Sequence, residues 1–63
     1  MQPDEFLEIA LEVYGDRWPS EIAHRLRIDK STVKKYAHGK LTIPPAVAGV
    51  MRFWLQGEVA NGR

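Results

Sequence analysis

Apolar residues recur three and four positions apart in separate segments of this 63-residue chain, and glycine or proline stands between the segments. From Asp4 to Tyr14, Leu7, Ala10, Leu11 and Tyr14 fill one helical stripe. Phe6, Ile9 and Val13 widen it, and Glu5, Glu8 and Glu12 hold the opposite face. The spacing predicts a core-facing helix with an acidic back. From Pro19 to Leu26, Ile22, Ala23 and Leu26 mark one face of a second, short helix, and Pro19 with Glu21 makes a favourable first turn. Arg27, Ile28 and Asp29 interrupt the period. Asp29 is then placed as N-cap of a third helix, Lys30 to His38, buried through Val33, Tyr36 and Ala37. Pro45 to Gln56 is apolar nearly all round, and no period is legible in residues 57–63, so 58–63 read as a frayed tail after one domain over 1–57. Gly15, Gly39 and Gly57 each follow an apolar segment, where a left-handed residue ends a helix. No strand pair is legible. The expected fold is all-α, a compact domain of four helices or five.

Length and composition narrow the class. A domain this small buries only about 60% of the surface its unfolded chain exposes. The chain has no cysteine for disulfides or thiolate ligands, so a partner subunit and a reducing cytoplasm are expected. No apolar run approaches a membrane span, and acidic residues follow Met1 where a secretory signal needs basic ones. The net charge of +1 conceals a partition. Asp4, Glu5, Glu8, Glu12 and Asp16 fall in residues 1–16, which hold no Lys or Arg. Arg25, Arg27, Lys30, Lys34, Lys35 and Lys40 fall in residues 24–40, against Asp29 alone. Such an asymmetry points a positive face at a polyanion and an acidic face away from it.

Two short helices joined by three residues, the second rich in basic and small polar side chains, have the layout of a helix-turn-helix. That motif needs a small residue where the helices cross, an apolar residue in the turn and a β-branched residue facing back. Ala23, Ile28 and Val33 supply them at spacings of five and five. The outer face of the third helix is then Lys30, Ser31, Lys34, Lys35 and His38, all able to donate hydrogen bonds to phosphates or base edges. Thr32 tunes the helix start or meets a phosphate. Ser20, Arg27 and Lys40 are candidates for the DNA backbone, Ser20 with N-terminal capping as its competing role and Lys40 with simple solvation as its own. Trp18 covers the flank of the motif or stacks at the DNA edge, with core packing as the expectation. His24 and His38 lie fourteen apart without clustered carboxylates, so no metal site is expected.

The stretch "PSEIAHRLRIDKSTVKKYAHGK", residues 19–40, resembles the Xre/Cro-like helix-turn-helix repressors, and the following "IPPAVAGVMRFWL" is similar to the helix that succeeds the motif in that family. Small regulators encoded beside phage anti-CRISPR genes share this compact layout. The resemblance implies that residues 30–38 form a recognition helix in the major groove and that residues 19–26 cross the backbone, with the motif as a whole spanning 19–39. One departure stands out: the family carries glycine in the turn where this chain has Arg27. A left-handed Arg27 costs about 1 kcal/mol relative to glycine, so the turn is either reshaped or repaid by a phosphate contact. A reshaped turn with a solvated Arg27 is the expectation.

In the last helix, Val47, Val50, Met51 and Trp54 form a stripe that the core can absorb, while Ala46, Gly49 and Phe53 lie on another face. So small a core leaves that face uncovered, which predicts a homodimer through residues 45–56, with Ala46, Gly49, Val50, Phe53 and Trp54 at the interface. A two-fold dimer sets recognition helices about 34 Å apart on an inverted-repeat operator. The chain carries no Gly-rich phosphate loop, HExxH, nucleophile elbow or cysteine, so an enzyme is not expected, nor a cofactor or small-molecule ligand. The functional expectation is a cytoplasmic, sequence-specific double-stranded DNA-binding repressor that regulates through its own concentration. The alternative is a protein-interaction module or antitoxin using the apolar last helix. RNA is disfavoured, because the deep A-form major groove excludes a helix.

Overall fold

The computed structural model describes residues 1–59 and is all-helical over them. Helix α1 spans Pro3–Tyr14, a 3₁₀ turn follows at Gly15–Arg17, and α2 spans Trp18–Leu26. Then come α3, Lys30–Ala37, and α4, Pro45–Trp54, which runs into a π-helical segment at Leu55–Val59. Proline occupies the first turn of α1, α2 and α4, where its missing N–H was without a helical partner anyway. A Cα radius of gyration of 10.7 Å matches the ~10.5 Å of a compact chain of this length. No helix among the described residues is long and apolar enough to cross a membrane.

Helix α1 is the centre of the packing. Phe6, Ile9, Ala10 and Val13 are buried and meet Ile22 and Ala23 of α2, Val33, Tyr36 and Ala37 of α3, and Ala48 and Met51 of α4 in one cluster. The Phe6 ring is edge-on to Tyr36 at 5.9 Å and to Trp18 at 6.5 Å, so one side chain ties together three helices. Trp18 is thus a packing residue at the start of α2. Ile43 joins the same core from the connection before α4. It precedes the N-cap Pro44 and Ala48 lies four positions beyond that cap, the arrangement of a hydrophobic staple.

The stripe expected on α1 is rotated. Its centre is Phe6, Ile9, Ala10 and Val13, and Leu11 is 46% exposed. On α4, the core side is Ala48 and Met51 with Val47 and Trp54 half-buried, and Val50 stands at the exposed edge instead of within the core stripe. Helix α4 proper ends at Trp54, and the chain passes through Gly57 in π-helical turns without a left-handed stop, so ordered helix continues to Val59 beyond the expected limits of 56 and 57. The remainder of the expected tail, 60–63, lies outside the described residues.

The ends of α2 and α3 share one construction. At α3 the Gly39 N–H donates to the Tyr36 carbonyl (3.3 Å) and the Lys40 N–H to the Lys35 carbonyl (2.9 Å), with Gly39 at φ 77°. This is a Schellman motif. His38, expected inside the helix, is its C-cap, with its N–H still bonded to the Lys34 carbonyl at 2.9 Å. A Cβ on Gly39 would stand 3.3 Å from Pro3 Cγ, so both dihedral and space favour glycine there. At α2 the Arg27 N–H donates to the His24 carbonyl (3.4 Å) and the Ile28 N–H to the Ala23 carbonyl (3.1 Å), with Arg27 at φ 58°, ψ 44°. The turn is therefore not reshaped around Arg27: the arginine itself takes the left-handed position.

Candidate nucleic-acid interface

Helix α3 is held by its inner face. Val33, Tyr36 and Ala37 are buried, and at 100° per residue Ser31, Lys34, Lys35 and His38 fall together on the opposite side, where all four are exposed. Lys30 is exposed at the flank and Thr32 is half-buried at the other. No carboxylate interrupts this surface between Lys30 and Lys40.

The N-terminus of α3 carries charge of both signs, Asp29 at the cap and Lys30 at the first helical position. Asp29 is the N-cap residue, but its side chain makes no cap hydrogen bond; its backbone carbonyl accepts instead, from the N–H groups of Thr32 (3.0 Å) and Val33 (3.2 Å). The first turn holds no acidic residue and begins with Lys30. The helix dipole favours negative charge at this end by about 0.3–1 kcal/mol, so a lysine there forgoes a local gain. An anion at this terminus would meet the dipole and Lys30, with the exposed Asp29 carboxylate beside them.

Ser20 is exposed in the first turn of α2, but that helix begins two residues earlier at Trp18 with Arg17 as N-cap, so Ser20 is not a capping residue. Lys40 is exposed just past the α3 Schellman turn. No protein-family model, curated protein or solved structure matches this chain. The chemistry of the site therefore rests on its own residues.

Arg27 is exposed and lies at a second surface. A groove of about 870 Å³ opens between the end of α2 and α4, lined by Ala23, His24, Arg25, Leu26, Arg27, Val50 and Trp54. The Arg25 guanidinium lies 5.2 Å from the centre of the Tyr14 ring and 3.9 Å from Glu21, and Tyr14 is edge-on to Trp54 at 5.7 Å. This groove is not legible as a unit in the sequence. Its one local signal is the Glu21–Arg25 spacing of one helical turn, which points to an ion pair but not to α4.

The outward face of α4 carries Ala46, Gly49 and Phe53, all exposed, Phe53 at 71%. Arg52 turns toward α1 and donates to the Glu5 carboxylate at 3.2 Å. Val50 turns the other way, into the groove. Of the expected interface residues, Ala46, Gly49 and Phe53 thus form one face, with Val50 and the half-buried Trp54 along its edge.

Proposed function

We propose that this chain is a sequence-specific double-stranded DNA-binding regulator, a homodimeric repressor of the helix-turn-helix type. Helix α2 crosses the DNA backbone and α3 enters the major groove. The observation that carries the reading is the outer face of α3. Ser31, Lys34, Lys35 and His38 are exposed donors on one side of a helix whose other side is fixed in the core, and Lys30 opens a first helical turn that holds no acidic residue after the N-cap Asp29. A helix with a donor-rich face matches the acceptors of the major groove and the phosphates beside it. Lys30, Ser31, Thr32, Lys34, Lys35 and His38 contact bases or phosphates, and Ser20 and Lys40 contact the backbone.

The acidic exposed side of α1, with Asp4, Glu8 and Glu12, supplies the opposite pole and orients the protein on a polyanion. The second copy docks on α4 through Ala46, Gly49 and Phe53, where a large apolar ring stands in solvent on the isolated protomer. The test is a reporter driven by the region upstream of the coding sequence. Supplying the protein in trans lowers its output, and supplying the Lys34→Ala, Lys35→Ala double variant does not. Equal repression by both proteins would refute the role given to α3.

A further inference from the structure

The groove beside α4, the acidic side of α1 and the outer face of α4 together determine how two copies pair. Resting on the homodimer reading above, we propose that the two α4 helices pack parallel about the two-fold axis, so that the cationic groove of each protomer faces the acidic flank of its partner.

On the helical wheel of α4, Ala46, Gly49 and Phe53 project outward, Arg52 lies about 90° to one side of that face, and Val50 about 70° to the other. Arg52 marks the α1 side through its bond to Glu5. Beyond it, Glu8 and Glu12 border a cleft of about 220 Å³ floored by Ile9 and Leu55. Val50 marks the α2 side, where Arg25, paired with Glu21, and Arg27 border the larger groove floored by Leu26 and Trp54. Beyond the Arg52–Glu5 pair the α1 side is therefore acidic, and the α2 side is cationic, each over an apolar floor.

The outer face alone is too small for a stable dimer. A specific interface takes about 800 Å² from each partner, and a phenylalanine contributes at most about 250 Å². Ala46 and Gly49 add little, so the flanks enter the interface and their charges select its geometry. When two helices stack face to face in a two-fold dimer, a parallel arrangement sets each flank against the opposite flank of the partner. An antiparallel arrangement sets each flank against its own copy. Antiparallel packing would bring Arg25 and Arg27 toward their equivalents, and Glu8 and Glu12 toward theirs, on both sides of the seam. Like-charge juxtaposition of this kind excludes a docking mode. Parallel packing pairs arginines with glutamates twice.

Gly49 fits the same geometry. A Cβ there meets nothing within 4 Å inside the protomer, so the protomer does not need a glycine at mid-helix, and a closely approaching helix does.

The chain has no native cysteine, so single cysteines report the geometry in the full-length protein. Ala46 and Phe53 are about 10 Å apart along the helix, beyond the Cα separation that a disulfide spans. Under mild oxidation Ala46→Cys is expected to cross-link to itself. A self-unreactive Ala46→Cys that links to Phe53→Cys in a mixture would show antiparallel helices and overturn the proposal while leaving the homodimer in place. A chain that sediments as a monomer at all concentrations would overturn both. Charge reversal gives a readout independent of cysteine. Arg27→Glu and Glu12→Arg each weaken dimerisation by about tenfold, and the double variant returns to within about threefold of the parent. If Arg27→Glu alone tightens the dimer, like flanks face each other and the proposal is wrong.

Discussion

Replacing Arg27 by glycine should stabilise the protomer, and the structure sets the size of the effect. Arg27 holds φ 58°, ψ 44° at the end of α2. The two hydrogen bonds that close this turn, Arg27 N–H to His24 and Ile28 N–H to Ala23, use backbone atoms alone and survive the substitution. Left-handed dihedrals cost a non-glycine residue about 1–2 kcal/mol, and glycine avoids that cost. Glycine returns about 0.5–1 kcal/mol through its greater freedom in the unfolded chain. The net gain is about 0.5–1 kcal/mol, a rise of about 2–8 °C in Tm for a domain of this length. Arg27→Ala keeps the left-handed strain and removes the guanidinium, so it should melt close to the parent. Thermal unfolding followed by far-ultraviolet circular dichroism, at a concentration where sedimentation shows the monomer, separates these outcomes. A glycine variant that melts below both the parent and Arg27→Ala would refute the assignment of strain to this turn. It would mean that the arginine side chain is itself a stabilising contact.

Four other substitutions bear on separate parts of the structure. Phe6→Ala removes the ring that joins α1 to Trp18 and Tyr36; a loss of about 3–5 kcal/mol against a total of order 3–9 kcal/mol for 63 residues removes at least about a third of the stability and lowers Tm by more than about 10 °C in circular dichroism. Lys34→Ala with Lys35→Ala should leave Tm within the range of about 0.5 kcal/mol usual for surface changes while lowering operator affinity, and the salt dependence of binding should flatten by about 1 for each phosphate no longer neutralised. Gly49→Ala should raise helix stability by up to about 1 kcal/mol and weaken dimerisation in sedimentation, because the new methyl projects only toward the partner. Glu5→Gln breaks the exposed pair with Arg52; the cost in a denaturant titration should stay below about 1 kcal/mol and disappear at high salt.

Much of the local structure is written in proline and glycine. Pro3, Pro19 and Pro45 open helices, and Gly15 and Gly39 take positive φ where the apolar periods end. The buried face of α3 follows directly from Val33, Tyr36 and Ala37. Local pattern does not decide among several apolar options. Helix α1 carries apolar residues over a wide arc, and only the placement of Tyr36 and Trp18 around Phe6 decides that Phe6, Ile9 and Val13 are central and Leu11 is not. Gly57 resembles the other two stops, yet a glycine in a helical turn needs no special dihedral, and nothing local to it distinguishes the two cases. For Arg27, propensity alone points to a reshaped turn; the backbone hydrogen bonds of the Schellman motif outweigh about 1 kcal/mol of strain. The groove beside α4 joins residues about 25 positions apart, and no period in the chain encodes that meeting.

The central claim is that the outer face of α3 reads DNA. The most direct measurement titrates the parent protein into a labelled duplex from its own upstream region and into a scrambled duplex of equal length, each at two salt concentrations. The account predicts at least about a thousandfold preference for the upstream duplex, with affinity for both falling as salt rises. Equal, weak binding to the two duplexes would contradict it and leave α3 as a basic surface without a sequence to read.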